Sequence, residues 1–271
     1  MYKIIACDLD ETLLGKGKSL SEENIKAIQK ARECGVKFVP CTGRGFRTVS
    51  GTLQQLGLYD QEDQYVISFN GGCITENKNS RMLSYCGMSY DLMHELYERG
   101  QKYDVAIRLY TTETVYVFNM TENEKRFCEQ RNPVVECTGD MEFLRTHDLV
   151  KVVFAKPDYD YLHTIEEDLQ DMANQLDISY SSGRYLEMNP KGVNKGFGLR
   201  KLAELLHVDI KDTIAIGDNY NDLPMIKAAG LGVGVANTVE EMKKECDVIT
   251  DADYEHSAVA EVIRKYILNE L

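Results

Sequence analysis

Short apolar runs alternate with helix-period segments at both ends of this chain, and that alternation is what most narrows its fold. "KIIAC" (3–7), "VKFVPC" (36–41) and "QYVISF" (64–69) are almost continuously apolar. Strands of that kind need cover on both faces, which is the condition of a parallel sheet flanked by helices. Between the first two runs lies "SEENIKAIQKAREC". Its Ser21 suits a helix N-cap, Ile25, Ile28 and Ala31 share one helical face, and Gly35 suits the position just past the last turn. A second helix is expected around residues 44–56. From "NKGFGLRKLAELL" onward, "TIAIGD", "NDLPMIKAAG", "LGVGV", "TVEEMKKEC", "DVIT" and a closing helix restore the same order.

The interval between follows a different grammar. "GCITEN" and "RMLSYC" flank the turn-like "KNS" and predict a hairpin. Farther on, "DVAIRLY", "TVYVF" and "LVKVVFA" mix with the helical "DYLHTIEEDLQDMANQL". The expected fold class is α/β: a discontinuous Rossmann-like parallel-sheet core over residues 1–86 and 188–271, with an inserted α+β unit over residues 87–187. Glycine and proline punctuate both crossings, at Cys86-Gly87 and at Asn189-Pro190-Lys191-Gly192.

The ends of the core strands are chemically unusual. The first runs into "DLDETLL", placing Asp8 and Asp10 just past the apolar run. The second ends in Thr42, Gly43 and Arg44, and the third in Asn70, Gly71 and Gly72. The first strand after the insertion ends in "GDNYND", with Asp218, Asn221 and Asp222, and Lys195 opens the helix before it. Each of these alone has an ordinary reading as a cap, a turn or a solvated side chain. Together they matter, because parallel sheets gather ligands at the carboxyl ends of their strands. Two like charges at ~4 Å cost roughly 4 kcal/mol at an effective dielectric near 20, so clustered carboxylates call for a cation. Oxygen donors without Cys or His suit Mg²⁺ better than zinc. Lys195, a point charge, suits a phosphate oxygen.

"DLDETLL", "CTGR", "GVNKG" and "GDNYND" resemble, in order, the four motifs of the haloacid dehalogenase-like (HAD) phosphatase superfamily, and the placing of the insertion resembles its Cof-type, subfamily IIB members. The resemblance implies a phosphatase with Mg²⁺ as cofactor. It implies that Asp8 is the nucleophile and a metal ligand, and that Asp10 is the general acid/base and a ligand through its backbone carbonyl. Asp218 would be the third ligand, supported by Asp222. Thr42, the Gly43 backbone, Lys195, Asn221 and the Leu9 amide would grip the phosphoryl oxygens. The inserted unit would act as a cap that closes over the core and sets specificity. Arg44, Asn70, Gly71 and Arg184 are candidate substrate contacts, with Arg47, Arg108, Tyr185 and Asn189 as further polar candidates. The expected substrate is a small phosphorylated metabolite, a sugar phosphate first, with phosphorylated cofactors or nucleotides as alternatives.

Three other readings compete. A phosphomutase would pass the same aspartyl-phosphate to a sugar hydroxyl. A response-regulator receiver gathers similar residues, but is about half as long and has no insertion. A catalytically idle Mg²⁺-binding protein would share the acidic cluster. Composition narrows the partners. Forty-four acidic against 31 basic residues give a net charge of −13, which disfavours nucleic acid and anionic membranes. No membrane span is expected, and the chain opens without a signal-like segment. The eight cysteines are scattered without a CxxC pair, as in a reducing, cytoplasmic setting. A monomer or homodimer is expected.

Overall fold

A computed structural model describes residues 1–129, 134–181 and 183–270. The chain divides into two compact units, one formed by Met1–Tyr85 with Asn194–Leu271 and the other by Cys86–Val193.

The first unit opens with β1 (Ile4–Cys7), α1 (Glu22–Glu33), β2 (Lys37–Pro40), α2 (Ser50–Gln55), β3 (Tyr65–Ser68), β4 (Cys73–Glu76) and β5 (Arg81–Tyr85). The second unit holds α3 (Tyr90–Gly100), β6 (Ala106–Thr111), β7 (Val115–Phe118), α4 (Glu122–Glu129) and β8 (Val135–Glu136). It continues with β9 (Leu149–Ala155), α5 (Tyr159–Asp168), β10 (Leu176–Ser181) and β11 (Tyr185–Pro190). The first unit is then completed by α6 (Lys195–Leu205), β12 (Thr213–Gly217), α7 (Leu223–Ala228), β13 (Leu231–Gly234), α8 (Glu240–Lys243), β14 (Val248–Ile249) and α9 (Ala258–Tyr266).

Among the described residues, the first unit carries a five-stranded parallel sheet in the order β14-β13-β12-β1-β2. β1 lies between neighbours from the two ends of the chain, with Ile4 paired to Lys37 on one side and to Thr213 on the other. Every residue of β1, β12 and β13 is buried, as two-sided cover requires. Ser21 caps α1 by accepting the Asn24 N–H, and Gly35 follows that helix with φ +82°. The buried stripe of α1 is Asn24, Ala27, Ile28 and Ala31, with Ile25 only half-buried at its margin. Asn24 earns its burial by accepting the Ala260 N–H of α9 at 2.9 Å.

Two expectations need correcting. β3 is joined to Cys41, the residue just past β2, by a single parallel bridge to Ile67, and it belongs to a separate antiparallel sheet in the order β3-β4-β5. All four residues of β2 are laddered to β1 on its other side, and toward β3 the bridge is joined only by the Thr42 N–H bond to the Ile67 carbonyl. The return crossing lies at Val193–Asn194 rather than at residue 188, because β11 stays paired with β10 as far as Pro190.

In the second unit the sheet order is β10-β11-β9-β6-β7-β8, antiparallel except for the β7–β8 pair. Alternation along β9 sends Val152 and Phe154 into the cluster under α3 and α5, while Val153 and Ala155 face a smaller cluster with Phe127 of α4. Among the described residues no helix is long and apolar enough to cross a membrane.

Candidate active site

Since β1, β2 and β12 run parallel, the residues that follow them emerge at one edge. Asp8 follows β1 with its N–H bonded to the Ile216 carbonyl at 3.0 Å. Asp218 follows β12, and the two acids are joined there by Asp222. One ligand oxygen from each of Asp8, Asp218 and Asp222 falls within 4.8 Å of the others. All three side chains are buried.

Lys195 is the cation of this cluster. It is fully buried at the first turn of α6, and its Nζ lies 2.5 Å from Asp8 Oδ1 and 2.5 Å from Asp222 Oδ1. Burial alone would favour the neutral amine. The carboxylates of Asp222 and Asp8 outweigh it and hold the ammonium well above its ordinary range. Asp222 Oδ2 accepts the N–H groups of Asp218 at 3.0 Å and of Asn219 at 3.1 Å. Both Asp222 oxygens are therefore engaged within the protein. Asp218 Oδ1 accepts the Thr12 hydroxyl at 2.6 Å.

One lysine faces three buried carboxylates, so the cluster is short of positive charge. Burial is the main force lifting Asp8 above the usual carboxylate range, with Lys195 opposing and Asp222 adding to it. Burial also lifts Asp218, reinforced by the charges of Asp222 and Asp8. A hard divalent ion would relieve that deficit, and the donor set is all oxygen. With Asp222 engaged, Asp8 and Asp218 are the side chains fitted to hold it.

Asp10 is turned differently. Its carboxylate is 55% exposed and is bridged by Arg44, with Nε 2.8 Å from Oδ2 and a terminal nitrogen on Oδ1. Leu9 between the two acids is buried, and its carbonyl accepts the N–H groups of Leu13 and Leu14. The turn is braced from outside by Asn237, whose Nδ2 donates to the Glu11 carbonyl at 2.9 Å.

The loop after β2 is held against the end of β3. The Thr42 N–H donates to the Ile67 carbonyl, the Asn70 N–H to the Thr42 carbonyl and the Phe69 N–H to the Arg44 carbonyl, each at 2.9 Å. A Cβ on Gly43 would stand 3.0 Å from Asn70 Oδ1, so the two candidates adjoin. Asn221 is half-buried on the turn before Asp222.

Gly71 has a structural reason to be glycine. Its φ is +95°, and a Cβ there would lie 2.2 Å from the carbonyl oxygen of Asn194, the residue before Lys195. Gly71→Ala should therefore push the start of α6 away. We expect a loss of about 10² in kcat, the usual effect of ~1 Å misplacement, together with a lower Tm. Steady-state rates and thermal unfolding check it, and a near-normal kcat would contradict the strut.

Arg47 is exposed in the first unit, its guanidinium 5.5 Å from the centre of the Phe46 ring, while Arg108 and Arg184 are occupied within the second. Arg184 donates to Asn123 Oδ1 at 2.6 Å and to Glu124 Oε2 at 2.9 Å. Arg108 reaches Glu124 Oε1 at 2.5 Å and the Tyr185 hydroxyl at 3.0 Å. Glu124 is fully buried, so these groups form an ion-pair knot inside that unit. Thr12 and Asn237 are the site residues that sequence reasoning misses. A hydroxyl two places after Asp10 is the only local sign of the first, and Asn237 gives none.

A family model for haloacid dehalogenase-like hydrolases matches residues 5–263. The chain belongs to that family. It aligns over 98% of its length with 96% of the Bacillus subtilis 5-amino-6-(5-phospho-D-ribitylamino)uracil phosphatase YcsE, at 30% identity. It is 26% identical to the phosphoglycolate phosphatase of Methanothermobacter thermautotrophicus, covering 98% of this chain and 99% of that one. A crystal structure of a haloacid dehalogenase-like hydrolase from Bacteroides thetaiotaomicron superposes with a TM-score of 0.85 at 27% identity, over 98% of this chain and 99% of the other. This HAD protein is thus a hydrolase whose end-to-end relatives are phosphatases.

Proposed function

We propose that this HAD hydrolase is a Mg²⁺-dependent phosphatase of small phosphorylated metabolites, working through an aspartyl-phosphate on Asp8. The observation that carries this is the buried cluster of Asp8, Asp218 and Asp222 around a single lysine. Such a site has a carboxylate nucleophile, a lysine for a phosphoryl oxygen, and an unmet need for a divalent cation.

In the first step an Asp8 oxygen bonds to phosphorus while the ester P–O bond breaks, and Asp10 gives a proton to the departing alkoxide. In the second, Asp10 takes a proton from water, the water oxygen bonds to phosphorus, and the bond to Asp8 breaks. Inorganic phosphate leaves and Asp10 is protonated again. Lys195, Thr42, the Gly43 backbone and Asn221 hold the phosphoryl oxygens, with the Leu9 amide beside them. Mg²⁺, held by Asp8, Asp218 and the Asp10 backbone carbonyl, would screen the incoming anion and stabilise charge on the transferring group.

General acid/base catalysis supplies only about 10²–10⁴, so the electrostatic part of the site must do most of the remainder. The second unit, residues 86–193, is proposed to act as the cap that reads the rest of the substrate. YcsE and the phosphoglycolate phosphatase carry names for different substrates at similar identity, so no single ester is transferred from them. The two names share only a phosphate monoester of a small metabolite, and the phosphorylated ribityl chain in the first favours a phosphorylated polyol or sugar here.

Release of phosphate from a panel of about a hundred esters, with Mg²⁺ present, tests the reading; no turnover of any of them in folded protein would sink it. Mg²⁺ should activate, excess chelator should abolish activity, and Ca²⁺ should inhibit. Ca²⁺ favours more ligands and bidentate carboxylates, which would tie up the attacking oxygen of Asp8. Equal rates with Ca²⁺ or full activity in chelator would contradict the metal site.

A further inference from the structure

We infer that Arg44 is a positioning residue for Asp10, fixing the carboxylate that the proposed mechanism uses as acid and base, rather than a contact for the substrate. The inference rests on that mechanism. Its own basis is the forked contact between the two side chains: Nε to Oδ2 at 2.8 Å and a terminal nitrogen to Oδ1. Two parallel bonds from a planar guanidinium set both the place and the plane of a carboxylate, which one bond cannot do.

Arg44 is itself fixed at both ends of its backbone. Its N–H donates to Thr42 Oγ1 at 3.1 Å, and its carbonyl accepts the Phe69 N–H at 2.9 Å. The residue is thereby tied to the loop that carries Thr42 and Gly43. Asp10 has no such burial to hold it: its carboxylate is 55% exposed, whereas Asp8 is 7% exposed as a residue. An exposed carboxylate on a short side chain is free to rotate unless something holds it. The fork therefore links the acid/base after β1 to the phosphate-gripping loop after β2, so that proton transfer and phosphoryl transfer share one frame.

A double-mutant cycle on the full chain separates this from the alternatives. Arg44→Ala should lower kcat by about 10², the scale of a small misplacement, with little change in KM. In an Asp10→Asn background the same substitution should change kcat by less than about threefold, because nothing is left to position. Arg44→Lys keeps the charge but not the fork, and should regain less than about a tenth of the lost rate. Exposure of Asp10 makes these variants tolerable to the fold, and matching Tm values check that.

A loss that persists undiminished in the Asp10→Asn background, with a raised KM, would overturn the inference and make Arg44 a substrate contact. Full rescue by lysine would also overturn it, leaving only a charge effect. If Asp10→Asn by itself loses less than about tenfold, the acid/base assignment fails, and the role of Arg44 falls with it. A large Asp10→Asn loss beside an inert Arg44→Ala would instead keep the mechanism and reject this inference alone.

Discussion

Asp8→Asn is expected to lower turnover by about 10⁴–10⁶, the range seen when a nucleophile is removed from a working catalytic group. An amide cannot attack phosphorus, and it is a poor ligand for a hard cation. The fold should survive. Burial already lifts the Asp8 carboxyl, so a neutral side chain of the same shape is welcome there. Lys195 keeps Asp222 as its partner at 2.5 Å. Tm should therefore stay within a few degrees of the parent. Activity within tenfold of wild type, in protein purified free of host phosphatases, would remove Asp8 as nucleophile.

Lys195→Met should be costly in both respects. The substitution keeps most of the volume but removes the only ammonium bonded to Asp8 and Asp222 among the described contacts of that cluster. Breaking a buried pair while leaving the acids behind costs about 3–5 kcal/mol. Part of that is recovered when a carboxyl takes up a proton. The remainder should still lower Tm by roughly 5–15 °C for a chain of this size. Turnover should fall by about 10²–10³, as when one preorganised donor is removed from a transition state. Unfolding curves and initial rates decide it. An unchanged Tm would mean that the cluster tolerates its charge without the lysine. The contrast with Asp8→Asn is the stronger check, since both variants should be slow but only one should be unstable.

What the sequence makes legible here is what lies along one element. The apolar runs that become β1, β12 and β13 can be read directly, because two-sided burial leaves Thr213 as their single polar residue. The acids that follow stand out by contrast, as does the Ser21 cap. Pairings between distant elements are not legible. Thr12 meets Asp218 across 206 residues, and only strand order brings them together. Arg44 and Asp10 are both noticeable residues, yet nothing local says that they hold each other across 34 positions. Glu124 sits in the strongly polar "TENEKRFCEQ", where a solvated helix is the natural expectation. Its burial depends on Arg108 and Arg184 arriving from β6 and from the turn before β11. β3 misleads for a related reason. Its composition suits the parallel sheet, but it is joined to that sheet by one bridge only, at Cys41.

The place of β1 in its sheet has a consequence for biosynthesis. Its neighbour β2 follows within a few dozen residues, but its other neighbour begins at Thr213. At ordinary synthesis rates that strand leaves the ribosome roughly 10–40 s after β1 does. Through that interval the nascent chain holds an apolar strand with one row of peptide groups unanswered, the kind of edge that recruits foreign strands. The second unit, by contrast, is one continuous stretch of sequence, 86–193, and among the described residues its sheet draws on no strand outside it. It can close while the rest waits. The interrupted order of the chain thus asks the cell to shelter β1 until the last third has been made.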